Sequence, residues 1–323
     1  MSPSPVAALP RVSFTLKHGS IAAGQVRAAL ADGGPPAASA AFAAFGTLHT
    51  VCGSAIGAIN AGNFGPFSNS GSCNYDCGFK TQNWSWSADY TAWVQQTVVP
   101  VVQGMDVSGA FTNAFAPAQQ WVTADLPGYS THITNAIATI NQIDAVIKNT
   151  GTATPAQQQA LAQAFATALS QVQSSLNEAN AALQTLSSFL TWATGRSISP
   201  QPYQTAVDNA ITTGMNNLIG QIACGAGDVQ GQFGAMQSVV DASFGSLQTP
   251  FNNVNSQYNT ATNAGDVVAG VFLNIQTDSQ SVTDFLTRAQ GVSPTSPLRG
   301  GFLDIAATDW AALVTYAQTQ LST

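Results

Sequence analysis

The sequence predicts an all-α fold, an elongated antiparallel bundle of very long helices carrying a small, partly irregular N-terminal hydrophobic element. Three observations predict it. Apolar residues recur in alternating steps of three and four over 161–190 and again over 207–286 of the 323-residue chain, the spacing of a coiled-coil seam. Only 7% of residues are charged against 45% apolar, where an average soluble protein has about 25% charged, so the helix surfaces must be built from Gln, Asn, Ser and Thr. Residues 1–85 read as irregular and compact and hold three of the four cysteines. The chain therefore divides into an element at 1–85 and a long-helix bundle at 86–323.

The N-terminal element opens with a β-like run, VSFTL at 12–16, and breaks at the Gly-Pro stretch 33–36. From 33 to 75 there is no charged residue. Within that stretch, 41–59 reads AFAAFGTLHTVCGSAIGAI, close to the roughly 20 residues a membrane-spanning helix needs. Gly53 and Gly57, four apart, would let helices approach closely in lipid. Thr47, His49 and Thr50 lower the hydrophobicity, which leaves two readings, a segment that inserts conditionally or a buried core helix. The candidate membrane-segment residues are Phe42, Phe45, Val51, Gly53, Ile56, Gly57, Ile59 and Phe64. A Gly, Ser and Asn loop follows, and the group Trp84, Trp86, Tyr90 and Trp93 reads as core packing at a helix start, with an interfacial belt as its rival.

Downstream, 87–149 is helical with interruptions expected at Pro100, Pro117 and Pro127-Gly128, ending in the face Ile133, Ile137, Ile140, Ile143 and Ile147. A helix over 155–194 starts at the cap pair Thr154-Pro155 and stops at Gly195 with Pro200 beyond. At 1.5 Å per residue it would be about 60 Å long. The 207–286 pattern predicts one very long bent helix or two collinear ones, with Gly225, Gly227, Gly231, Gly234 and Pro250 as points of bending. A last helix, 304–321, carries Trp310, Leu313, Ala317 and Leu321.

Composition excludes some chemistry. A net charge of −7 with eight basic residues scattered singly offers no track for a polyanion, so no nucleic-acid partner is expected. No phosphate-binding loop, dinucleotide fingerprint or nucleophile elbow occurs. Cys52-Gly53-Ser54-Ala55 approaches a papain-type opening but has alanine where the nucleophile belongs. His18 and His132 have no partner the sequence can name, and the aspartates read as solvated faces, so no catalytic residue and no cofactor is expected. His49, Cys52, Cys73 and Cys77 have spacings near those of zinc ribbons. The competing reading is a disulfide that joins Cys73 or Cys77 to Cys52 or Cys224.

The run ADYTAWVQQTVVPVVQGMDVSGAFTNAF at 88–115, with Trp93, then Pro100, then Phe111 and Phe115, resembles the early long helix of the bacterial α-helical pore-forming toxins of the cytolysin A, haemolysin BL and non-haemolytic enterotoxin superfamily. The resemblance extends over 86–323 through the two long seams and the closing helix with Trp310. It implies a secreted cytolysin that rearranges at a target-cell membrane, inserts in its lipid, and oligomerises there with itself or beside a second toxin component. Family members place the inserting head between their second and third long helices. Here that junction, 195–202, is a short polar turn, which moves the expected inserting segment to 38–64. No cleavable leader is visible at the N-terminus. The rival functions are a non-lytic coiled-coil interaction protein, or one component of a multi-part toxin, and a zinc-binding protein built on the His/Cys cluster.

Overall fold

A computed structural model describes residues 35–323; the β-like run at 12–16, His18 and the basic residues Arg11, Lys17 and Arg27 lie outside the described residues. Among the described residues the fold is all-α but for one hairpin. Helix α1 (Ala37–Ala61) leads into strands β1 (Phe67–Tyr75) and β2 (Lys80–Ala88). Then come α2 (Thr91–Met105), α3 (Ser108–Gln120), a π-turn (Trp121–Asp125) running into α4 (Leu126–Thr150), α5 (Pro155–Ala193), α6 (Gln201–Ile219), α7 (Ala226–Gly291) and α8 (Pro297–Leu321). The 66 residues of α7 make a rod about 100 Å long, and that rod sets the length of the molecule.

Helices α1, α5, α6 and α8 pack along α7, α3 and α4 pack along α5, and α2 packs against α1. The α5 seam is buried throughout except Leu169, and all the apolar positions expected on α7 from Val229 to Leu286 are buried. The start of α5 is fixed by a reciprocal cap, in which Gln157 N–H donates to Thr154 Oγ1 at 3.2 Å and Thr154 N–H to Gln157 Oε1 at 2.8 Å. Where α5 ends, the Tyr258 hydroxyl donates to the Ala193 carbonyl at 2.5 Å, and Asn255 exchanges two hydrogen bonds with the backbone of Ile198. At the opposite end, Asp144 of α4 and Arg299 of α8 form an ion pair, Nε to Oδ2 2.9 Å, with both side chains at most 5% exposed. Helix α8 begins earlier than its apolar pattern implies because Ser296 caps it and Pro297 occupies its first turn.

Three expectations are corrected. The long 207–286 pattern is two helices, but they are not collinear. Gly225 sits in the left-handed region at φ 79, where a side chain would be strained. The chain reverses there, so that α6 packs antiparallel on α7, with Gly214 facing Phe233 and Gln204 donating to Asp241 at 2.7 Å. The expected loop before Trp84 is an antiparallel hairpin in register Phe67↔Ala88 to Tyr75↔Lys80, so Trp84 and Trp86 lie on a strand and not at a helix start. Pro100 and Pro117 sit inside α2 and α3 without ending them. The break falls at Asp106, whose carboxylate accepts from the Ser108 N–H and hydroxyl at 3.3 and 2.6 Å. Residue 85 lies within β2, and α1 packs along α7.

Candidate functional site: helix α1 and its cradle

Helix α1 is Ala-rich and free of proline and charge. Its buried stripe, Ala41, Phe45, Leu48, Cys52, Ala55 and Ile59, steps by four and three and so forms its own seam against α7. The sequence candidates separate by face. Phe45 and Ile59 are buried, with Phe64 just beyond the helix against Phe244 at 4.9 Å between centroids. Phe42, Val51 and Ile56 are half-buried against the core. Gly53 and Gly57 are exposed with open space where a Cβ would stand. Among the described residues α1 is the one helix long and apolar enough to cross a membrane, with mean hydropathy 1.4 and 28% of its apolar window buried.

An aromatic cradle covers the first half of α1. Phe45 stacks on Phe111 of α3 at 4.1 Å, while Phe42 meets Phe111 and Phe115 edge-on at 5.1 and 5.3 Å, and Phe189 of α5 closes the group at 5.8 Å from Phe45. Such contacts add about 0.5–1.5 kcal/mol per pair beyond the area they bury. Polar contacts then hold both ends and the middle. The Ala37 N–H donates to Gln320 Oε1 of α8 at 3.1 Å. The Ser243 hydroxyl of α7 bonds the N–H and carbonyl of Asn63 at 3.0 and 3.1 Å. His49 Nδ1 lies 2.6 Å from Asp106 Oδ2. Burial works to raise the Asp106 carboxyl, but hydrogen bonds from Ser108 and His49 outweigh it and hold it below the ordinary carboxylate range. Sequence reasoning found the segment and missed its holders. Asp106-x-Ser108 carried a readable turn signal, whereas Ser243 and Gln320 are ordinary helix residues with nothing to mark them.

The cysteines divide three ways. Cys73 of β1 is bonded to Cys224 in the α6–α7 turn, one of the expected pairings and compatible with an extracellular protein. Cys52 is a buried thiol, pushed up to about 11 by burial and by the charge of Asp106. Cys77 is free and exposed at the hairpin tip. The zinc reading is corrected, because Cys73 is consumed by the disulfide, His49 pairs with Asp106, and among the described residues no group of three or more His, Cys, Asp or Glu side chains is placed to hold a metal. The bond therefore ties down the hairpin that follows α1 and leaves α1 itself held only by noncovalent contacts. No protein family, no curated protein and no solved structure matches this chain.

Proposed function

We propose that this chain is a secreted, non-enzymatic cytolysin whose α1 leaves the bundle at a target membrane, enters the lipid and assembles into a pore. The observation that carries the reading is the mismatch in α1, an uncharged helix of spanning length with most of its apolar window unburied. Its buried contribution is modest. Phe45, Leu48 and Ile59 are its large buried side chains, each worth about 1.5–3 kcal/mol, a sum that lipid can replace. The exposed face carries Gly46, Thr50, Gly53 and Gly57, which are cheap to leave in water and suited to close helix contact in a bilayer. Release is then a population shift, driven by the difference between what the cradle and the lipid each offer α1.

The test is Gly53→Lys. The position is exposed and open, and lysine is a better helix former than glycine, so the soluble fold should be unchanged or slightly more stable by thermal melting. A lysine in mid-bilayer costs about 2.5–3.5 kcal/mol, so dye release from vesicles should fall by about two orders of magnitude. Wild-type protein that releases no dye and lyses no cell would leave the coiled-coil interaction reading in its place.

A further inference from the structure

The hairpin after α1 is a two-stranded ribbon with both outer edges open. Ser70 N–H donates to its neighbour's side chain, Asn69 Oδ1, at 2.8 Å, the direction expected of an N–H turned away from β2. Ser70↔Ser85 is therefore one of the pairs that exchange no backbone hydrogen bonds, and strict alternation in an antiparallel ladder turns the N–H and C=O of every second residue, Ser68 to Asn74 on β1 and Thr81 to Ser87 on β2, away from the partner strand. Among the described residues no backbone group of another element bonds to these positions. The same residues are all exposed; of the alternate ones, Cys73, Trp84 and Trp86 face inward, while Asn69 and Lys80 are exposed. Both rows consist only of Ser, Thr and Asn.

Proteins ordinarily defend such edges with lysines, prolines or bulges. Between Phe67 and Tyr75 this chain has none of these, and on β2 the single charge is Lys80 at the first position, paired with Asp76 at 3.2 Å. We infer that the hairpin is an assembly element in which the β1 edge of one copy pairs with the β2 edge of the next, extending one antiparallel sheet through the oligomer. A second copy is the occupant that fits. The chain carries a net charge of −7, yet these two edges are neutral, so copies can approach here without the repulsion that operates elsewhere on the surface. The two edges differ, so the contact is head-to-tail and propagates into a ring or filament, where a self-paired β1 edge would stop at a dimer. The Cys73–Cys224 bond and the hydrogen bonds of the Gln82 side chain to Gln221 and Ala223 fix the ribbon on the α6–α7 turn with its rows outward. Residues 62–66 join α1 to β1, so zipping hairpins together brings successive α1 segments side by side.

This inference rests on the membrane-assembly reading and names the surface that would carry it. In a Cys77→Ser background, Ser70→Cys chains are mixed with Asn83→Cys, Ser85→Cys or Ser87→Cys chains on vesicles and in detergent, with the native disulfide verified by mass spectrometry. One of the three mixtures should give an inter-chain cross-link, and Ser70→Cys alone should not. Ser72→Pro, which deletes an outward N–H without touching the internal ladder, should lower assembly by about tenfold per contact, its fold checked by circular dichroism. An oligomer that yields none of the three cross-links overturns the edge pairing and leaves the pore reading standing. A cross-linked assembly that releases no dye keeps the pairing and sinks the pore. A chain that stays monomeric on vesicles and in detergent refutes both.

Discussion

Burial and the nearby Asp106 charge push the Cys52 thiol up to about 11, so in mildly alkaline buffer it stays protonated and inside the α1–α7 seam. Cys77 stands in solvent at the hairpin tip. Titration with a chromogenic disulfide reagent should therefore count Cys77 at once and Cys52 only after denaturant. A native protein that gives up both thiols quickly would mean that α1 is already loose in solution. A second residue-scale constraint is Gly71, where a Cβ would lie 2.3 Å from the Trp84 ring that covers it. Gly71→Ala should cost about 1–3 kcal/mol in denaturant unfolding and move the Trp84 emission. At this scale the candidate site was half legible. The apolar run from Phe42 to Ile59 announces itself by composition, but Ser243 and Gln320 act only because the fold brings them to the ends of α1 from 180 and 283 residues away in the chain.

Two polar contacts between elements make opposite predictions. At the Asp144–Arg299 pair burial pushes the carboxyl up and the guanidinium down, so desolvation outweighs the attraction between them. Arg299→Met alone should cost about 3–5 kcal/mol by leaving Asp144 buried and unpaired, whereas Arg299→Met with Asp144→Leu should be neutral or stabilising; chemical denaturation of the three proteins checks both statements. Helix α6 is different. The Asp208 carboxyl is raised above its ordinary 3.8, first by burial and then by the charge of and hydrogen bond with Asp241 on α7. The folded state therefore binds that proton more tightly than the unfolded one. Its stabilising contribution is complete below about 3.8 and fades as pH rises through the raised value. Amide exchange in 201–219, corrected for intrinsic rate, should be slower at pH 4 than at pH 7, and Asp208→Asn should remove most of the difference. The elements themselves were legible where one period ran on with clear ends, as in α5, which begins and ends within a residue of its sequence limits. They were illegible where a period hides a reversal. Between 207 and 286 the apolar spacing keeps its phase through the Gly225 turn, and the hairpin's inner row is too sparse in β-branched residues to stand out from a Ser/Asn loop.

As a whole the molecule is a rod whose covalent and noncovalent restraints act on adjoining parts of one segment. Residues 37–61 are held by packing and a few hydrogen bonds, and residues 67–88 by a disulfide across 151 positions. Closing a loop of that size removes entropy from the unfolded chain worth about 5 kcal/mol on the loop-closure account. Cys224→Ser should therefore lower the melting temperature clearly, with the Phe45–Phe111 cradle intact because it lies on α1 and α3, away from the α6–α7 turn. The two steps of the proposed action should then separate. Entry of α1 into lipid does not pass through the disulfide, so flotation of Cys224→Ser with vesicles should match the wild type below its melting point. Assembly depends on the hairpin being presented at a fixed angle, so oligomer formation and dye release should both slow, and mild reductant should reproduce the effect in the wild type. If Cys224→Ser instead released dye faster, the bond would be a restraint on insertion and not a scaffold for assembly, and the hairpin would have to move together with α1.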